Sequence, residues 1–431
     1  MPSLSVLMAA CAMGLAAYAC GRNAEWKAMS ADERQVAVYV VLIVGWPQAW
    51  TFFVGPELWS TAEGAGFMYP TLWYLPGFVF AVVYFGRSVF VKDTRFDIPA
   101  MVQYSTLVIA LVFVALGPMS RSDVAKLAIP MGLLLMTVVK PSAIRGSIAV
   151  GWGCRASLLL VTASVLAAVV LNAGRVLTPC RIDKCGLAGQ TLTSPFAGNG
   201  NILGLAVIMI VPFAVAQLDI RGAMAILASV LVTIELTGSR TAEIGIITAA
   251  VLVLAIWSWP AQRRMILLCG VCLALGFSLI PAIYPFGGTE FTFRGALWNE
   301  ARQVIAEHPI LGSGPNAWFV MRLTSIYDLN YSPHNAWLDI TLSIGMSGVI
   351  VIAAAVVLKL MTADDGERDV LLLYFATLFS VSALESVYVP YVLAILPSAC
   401  VLPFLGGPGK PMWRTNVQVK STNLSREGRL H

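Results

Sequence analysis

Apolar residues run in blocks along almost the whole chain, divided by short polar turns. The blocks are about 17–22 residues long, and each is long enough for a helix to cross a bilayer. About thirteen can be marked: 3–20, 36–54, 70–90, 98–117, 123–139, 150–171, 201–217, 222–237, 241–259, 265–284, 335–358, 370–387 and 388–405. The pattern predicts an all-α polytopic membrane protein with about 12–13 transmembrane helices. Three stretches interrupt it at length: 55–69, 172–200 and a polar island over 284–334.

A second periodicity lies inside the island. Between Arg294 and Glu307, Leu297, Trp298, Ala301, Val304 and Ile305 share one helical face, while Glu300, Gln303 and Glu307 face away. This predicts a short amphipathic helix over 294–307, suited to the membrane surface or to packing on the bundle. His308-Pro309 ends it, because proline disfavours helix at the residue before it. Gly312-Ser313-Gly314-Pro315-Asn316 reads as a tight turn, with a second short helix over about 316–326. The chain then divides into N-terminal scaffold helices (1–171), a region rich in functional polar residues (172–405) with an extracytoplasmic loop over 285–333, and a polar basic tail (406–431).

Composition sharpens the class. Of the 431 residues 58% are hydrophobic and only 12% are charged, about half the charge of a soluble domain. The mean hydropathy is +0.79, and no stretch is left over for a separate soluble domain. The net charge of +5 is no signal for nucleic acid, because the basic residues are spread over short loops. With the tail taken as cytoplasmic, 19 of the Lys and Arg residues fall inside and 9 outside, as the positive-inside rule requires. That orientation puts the island, loop 172–200 and the turn Gly238-Ser239-Arg240 outside. The first twenty residues have no basic n-region, so a first membrane helix is expected there rather than a signal peptide.

Six of the eight cysteines lie in or beside apolar runs and read as small core residues. Cys180 and Cys185 instead flank four residues of an outside loop, where an oxidising compartment favours a disulfide.

The candidate chemistry follows from the few polar residues near outside helix ends. Of the three histidines, His334 stands in Ser332-Pro333-His334-Asn335 at the mouth of an apolar run. Ser332 can cap the helix there and Pro333 suits its first position, which puts His334 in the first turn. A helix N-terminus disfavours imidazolium, and a neutral histidine can serve as a general base. The plainer reading is an interface histidine that hydrogen-bonds a loop. His308, at a helix C-terminus before proline, reads as a cap. Arg240 sits in a turn with Glu235 and Glu243 nearby, either closed in an ion pair or free to grip phosphate oxygens. Arg294 opens the amphipathic helix, where backbone N–H groups add to its pull on an anion. Asn335, Asp339, Arg302 and Arg322 are further candidate substrate contacts. Asp339 stacks under Asn335 rather than His334, and Glu385 stands near an outside helix end with its role open. No sequence pattern marks a metal or nucleotide site, so no cofactor is expected.

Three segments resemble the bacterial O-antigen ligase and O-antigen polymerase family. Arg294-Gly-Ala-Leu-Trp298 through His308-Pro309-Ile-Leu-Gly312-Ser-Gly314 resembles its R-x-x-x-W…P-L-x-G-x-G stretch. His334-Asn335, nine residues, Gly345, two residues and Gly348 fit its H-N-x9-G-x-x-G pattern. Ser239-Arg240 is similar to the family's first essential arginine, although Ile244 replaces the usual leucine, and Asn199-Gly200-Asn201 is also similar. The likeness covers roughly 195–350. It implies a metal-independent, inverting membrane glycosyltransferase acting at the outer face of the bacterial inner membrane. The implied donor is an undecaprenyl-diphosphate-linked oligosaccharide, the acceptor a glycan or lipid, and the surroundings membrane lipids, with no nucleic acid. His334 would be the base, and Arg240 and Arg294 would bind the diphosphate. A ligase and a polymerase differ only in acceptor. The rival reading is a transporter of inorganic carbon or a small solute, although transporters place their charges near the midplane.

Overall fold

The computed structural model describes residues 2–21, 25–53, 68–90, 94–116, 121–141, 146–180, 185–193, 200–315, 317–320, 332–387 and 400–406. The first half holds α1 (Pro2–Gly21), α2 (Glu25–Ala28), α3 (Ala31–Val40), α4 (Trp46–Phe53), α5 (Met68–Val89), α6 (Ile98–Leu116), α7 (Arg121–Val138) and α8 (Gly146–Val176). A π-turn, Val41–Gly45, joins α3 to α4. Then come α9 (Gly200–Ala214), α10 (Ile220–Thr237), α11 (Arg240–Ser258), α12 (Arg263–Ile283), α13 (Arg294–Glu307), α14 (Ala317–Val320), α15 (Ala336–Thr362), α16 (Asp365–Ser382) and α17 (Leu402–Leu405). Two small antiparallel pairs lie between helices: β1 (Thr94–Phe96) with β2 (Val139–Pro141), and β3 (Leu177–Pro179) with β4 (Gln190–Leu192).

Twelve of the thirteen expected runs coincide with described helices. The run 388–405 lies outside the described residues except at its end, as do loop 55–69 and the tail beyond Gly406. Among the described residues, seven helical spans are long and apolar enough to cross a membrane: Leu4–Gly21, Ala31–Phe52, Ile148–Val176, Ile220–Thr237, Arg240–Ser258, Pro260–Ile283 and Ala336–Thr362. The apolar parts of α6, α7 and α9 are shorter. The protein is therefore an all-α polytopic membrane protein.

Lipid is as apolar as leucine, so helices in a bilayer associate through close packing and polar bonds. In α1 the buried residues Ala9, Ala12, Ala16 and Ala19 form a helical stripe of small side chains. The helix lies along α8 and α10, close enough for Ser229 Oγ to donate to the Ala12 carbonyl at 2.7 Å. One core joins Leu158 and Val165 of α8, Met209 of α9, Ile226 of α10 and Tyr374 of α16. It runs without a break across residue 171.

One charge gains a structural role and one expectation is corrected. Arg155, counted with the inner charges, is buried in α8 and donates to the carbonyls of Ala214 and Ala216 at 3.2 and 3.1 Å. It caps the C-terminal end of α9, whose last carbonyls have no helical partner. The run 335–358 is also not one continuous helix, because α15 breaks at Gly345, where φ is 66° and ψ is −173°.

The break is filled by the chain that follows α13. In an unbroken helix Met346 and Ser347 N–H would bond to the carbonyls of Leu342 and Ser343. Here Met346 and Ser347 donate instead to Pro309 and Ile310, at 2.9 and 3.1 Å. The released carbonyls of Leu342 and Ser343 accept from Ser313 and Gly314, at 2.7 and 3.0 Å. All four backbone groups stay satisfied, which a bilayer demands of any broken helix. Only glycine fits where the segments cross. A Cβ on Gly345 would stand 2.1 Å from the Ile310 oxygen, and one on Gly312 (φ 77°) would stand 2.6 Å from the Gly345 nitrogen.

Candidate active site

The predicted amphipathic helix is α13, with the predicted bounds. Leu297, Trp298, Ala301 and Val304 bury its apolar face against Leu338 and Leu342 of α15 and against Trp318. His308 is its C-cap, as its place before proline implies. The second short helix is described only over Ala317–Val320.

His334 is not in the first turn of α15. Asn335 is the N-cap, and its side chain accepts from Leu338 N at 3.0 Å. His334 precedes that cap with φ at 54°, in the left-handed region. Ser332 caps no helix; its hydroxyl accepts the His334 N–H at 3.2 Å. A left-handed non-glycine residue costs about 1–3 kcal/mol and occurs most often at working sites. The His334 residue is 7% exposed, and its Nδ1 stands 2.9 Å from Oε2 of Glu385.

Glu385 lies just beyond the end of α16 and is completely buried. Its Oε1 accepts from Arg294 Nη2 at 2.9 Å and from Asn201 Nδ2 at 3.4 Å. One carboxylate thus joins the start of α9, the start of α13 and the residue before the cap of α15. A buried carboxylate needs such partners, because an uncompensated charge there is expensive. Beside Arg294 it is ionised and can only accept hydrogen bonds, so the facing Nδ1 carries the ring proton. In that tautomer the ring's lone pair lies on Nε2.

Asn335 is also completely buried. Its amide donates to the carbonyls of Ser278, Ser382 and Ala383 at 3.0, 3.2 and 3.2 Å. It ties the start of α15 to the C-terminal ends of α12 and α16, which makes it a structural tie rather than a group open to substrate. Asp339 is buried one turn deeper, near Ser343 and Ser386 and within electrostatic range of His334. Its Oδ2 has no hydrogen-bond partner among the described residues.

Arg302 is spent on the fold. Its Nη1 donates to the carbonyls of Pro281 and Tyr284 at 2.7 and 2.8 Å, and Nη2 bonds to Asn299. It caps the C-terminal end of α12, and burial lowers its pKa from the usual arginine value. Arg322 lies outside the described residues.

Arg240 is the first residue of α11, after the N-cap Ser239 and the left-handed C-cap Gly238 of α10. It is exposed, and no ion pair with Glu235 or Glu243 closes it off among the described residues. Its turn belongs to the same end of the bundle as Glu385. Gly204 of α9 packs on Ser239, Gly200 packs on Thr237, and Asn201 between them reaches Glu385. Cys180 and Cys185 are disulfide-bonded. Gly186, the next residue, sits against the Glu235 carbonyl, so the small β3–β4 loop backs the Arg240 turn.

His334, Arg294, Asn201 and Glu385 are therefore in contact, and Arg240 is on the neighbouring turn. The sequence had named Glu385 without a role and Asn201 only through a likeness. A 51-residue separation hides the His334–Glu385 pair from any periodicity. The available signal was an ionisable residue at the outer end of an apolar run, which needs a partner. No group of three or more His, Cys, Asp and Glu side chains able to hold a metal occurs among the described residues.

The fold and this cluster define a multi-pass membrane protein with a buried His–Glu–Arg–Asn cluster at one end of its bundle. The profile of the O-antigen ligase family matches residues 223–353. Over that region the chain is similar to the O-antigen ligase family, which supports an O-antigen ligase-type role in polysaccharide assembly. The matched region holds Arg240, Arg294 and His334 and ends before Glu385. It does not favour the transporter reading. No curated protein and no solved structure matches the chain.

Proposed function

We propose that the chain is a membrane glycosyltransferase that moves a glycan from undecaprenyl diphosphate to an acceptor hydroxyl during surface-polysaccharide assembly. The observation that carries this reading is the Glu385 carboxylate, which holds a candidate base, His334, and a candidate phosphate grip, Arg294, in one contact. His334 Nε2 takes the proton of the acceptor hydroxyl, and the acceptor oxygen attacks the anomeric carbon. The bond from that carbon to the diphosphate breaks, and its electron pair leaves on the diphosphate oxygen. Attack from the face opposite the leaving group inverts the configuration. Arg294 and Arg240 neutralise the growing charge through paired N–H donors. The lipid diphosphate is itself the leaving group, so the reaction needs neither a nucleotide nor a metal.

The reaction belongs at the outer face of the bacterial inner membrane, with the catalytic groups supplied by 172–405 and scaffold helices by 1–171. The acceptor is a glycan or a lipid. The test is purified protein with an undecaprenyl-diphosphate oligosaccharide in the presence of a chelator. Transfer is expected, and His334→Ala should cut its rate by at least about 100-fold with expression unchanged. Full activity in that variant sinks the assignment. A ladder of lengths on the donor lipid identifies a polymerase, and a single transfer to another acceptor a ligase.

A further inference from the structure

Glu385 serves two groups with different tasks, and only one of them can leave it. We propose that Glu385 is a shared counter-ion for which the donor competes. It holds Arg294 and His334 together, and donor diphosphate draws Arg294 away and leaves the carboxylate to His334. This rests on the reading of Arg294 as a diphosphate grip.

The geometry separates the two bonds. Oε1 faces Arg294 and Asn201, while Oε2 faces His334. The Arg294 side chain is 21% exposed, whereas those of Glu385 and His334 are 1% and 9% exposed. Arg294 is therefore the member of the trio that meets an incoming anion. A diphosphate offers more charge and more oxygens than one carboxylate, and it can take two N–H groups of a guanidinium in parallel. The exchange does not strand the buried carboxylate, since Asn201 stays on Oε1 and His334 on Oε2.

The consequence falls on the base. A carboxylate shared with a guanidinium stabilises imidazolium less than one held by histidine alone. Asp339, the other acid facing His334, is common to both states and does not alter the comparison. With a diphosphate on Arg294, the carboxylate is left to orient His334 and to steady it as it takes the acceptor's proton. Donor capture precedes activation of the acceptor, and Glu385 is a positioning residue that couples the two.

The test measures undecaprenyl diphosphate binding and glycan transfer on the full-length chain in detergent. In Glu385→Gln the competitor for Arg294 is gone, so the lipid should bind about tenfold tighter. Turnover should fall about 100-fold, because the base has lost its carboxylate. A residue with a merely structural role would weaken both. Glu385→Ala removes the carboxylate altogether and should shift both values the same way; it serves as the second variant if the glutamine form does not fold. Binding that is unchanged or weaker in the folded variants overturns the exchange while leaving the glycosyltransferase reading intact. If the wild-type chain binds no undecaprenyl diphosphate, that reading falls and this inference falls with it.

Discussion

Two arginines of similar sequence context have opposite surroundings, and their variants should separate accordingly. Arg302 gives its guanidinium to carbonyls at the C-terminal end of α12. Arg302→Ala should therefore destabilise the protein by about 1–3 kcal/mol, since it leaves those acceptors unmet. Donor affinity in the folded fraction should change little. Arg240 is exposed at the head of α11, so Arg240→Ala should leave the melting temperature within about 1–2 °C. Its loss should appear as weaker donor binding, about tenfold or more. Thermal melting beside a lipid-binding titration checks both, and equal melting losses in the two variants would contradict the contrast. The sequence could place both residues outside, but not tell a cap from an open cation. That difference depends on which carbonyls the turn after α12 brings near. The same holds for Asn335, whose acceptors come from helices far apart in the chain.

At the scale of elements, the amphipathic helix over 294–307 was legible to the residue, because its periodicity states both its bounds and its buried face. The break in α15 was not. Hydrophobicity over 335–358 is continuous, and a pattern of side chains carries no information about a backbone exchange. The glycines were visible, but in two separate motifs; the structure makes Gly312 and Gly345 one joint. Gly345→Ala tests this with an unusual signature. Alanine is strained at a positive φ and collides with Ile310, while it favours a continuous helix by about 1 kcal/mol. The helix should close, with Met346 and Ser347 donating again to Leu342 and Ser343. The segment 309–314 is then expelled. Hydrogen exchange should show lost protection at Ser313 and Gly314 with protection kept at Met346 and Ser347. Protection retained at all four amides would show that the joint tolerates a side chain. Transfer activity should fall as well, because α13 carries Arg294 and the first half of α15 carries the cap beside His334.

The molecule as a whole is polarised. One end gathers His334, Glu385, Arg294 and the Arg240 turn, backed by the disulfide loop. The opposite ends of α12, α15 and α16 gather a different set: Arg263 with Asp369 at 3.0 Å, Lys359 with Glu367 at 2.8 Å and Arg264 with Asp365 at 2.7 Å. The hydrogen bond from Arg264 and its charge hold the Asp365 carboxyl below its usual pKa. This cluster was legible only as a surplus of basic residues, because charge counting cannot see which ones are neutralised by acids. Pairing with carboxylates lowers the net positive charge at this end of the bundle. The remaining bias still predicts that it faces the cytoplasm. Thr289, in the loop before α13, and Ala261, before α12, are both exposed and stand at opposite ends of α12. Single cysteines at these positions, in a background without other free thiols, report the orientation directly. A membrane-impermeant maleimide added to intact cells should label Thr289→Cys, and should label Ala261→Cys only after permeabilisation. The reverse pattern would put His334 in the cytoplasm. An oxidising outer face would then no longer account for the Cys180–Cys185 bond, and the donor would have to be met before it crosses the membrane.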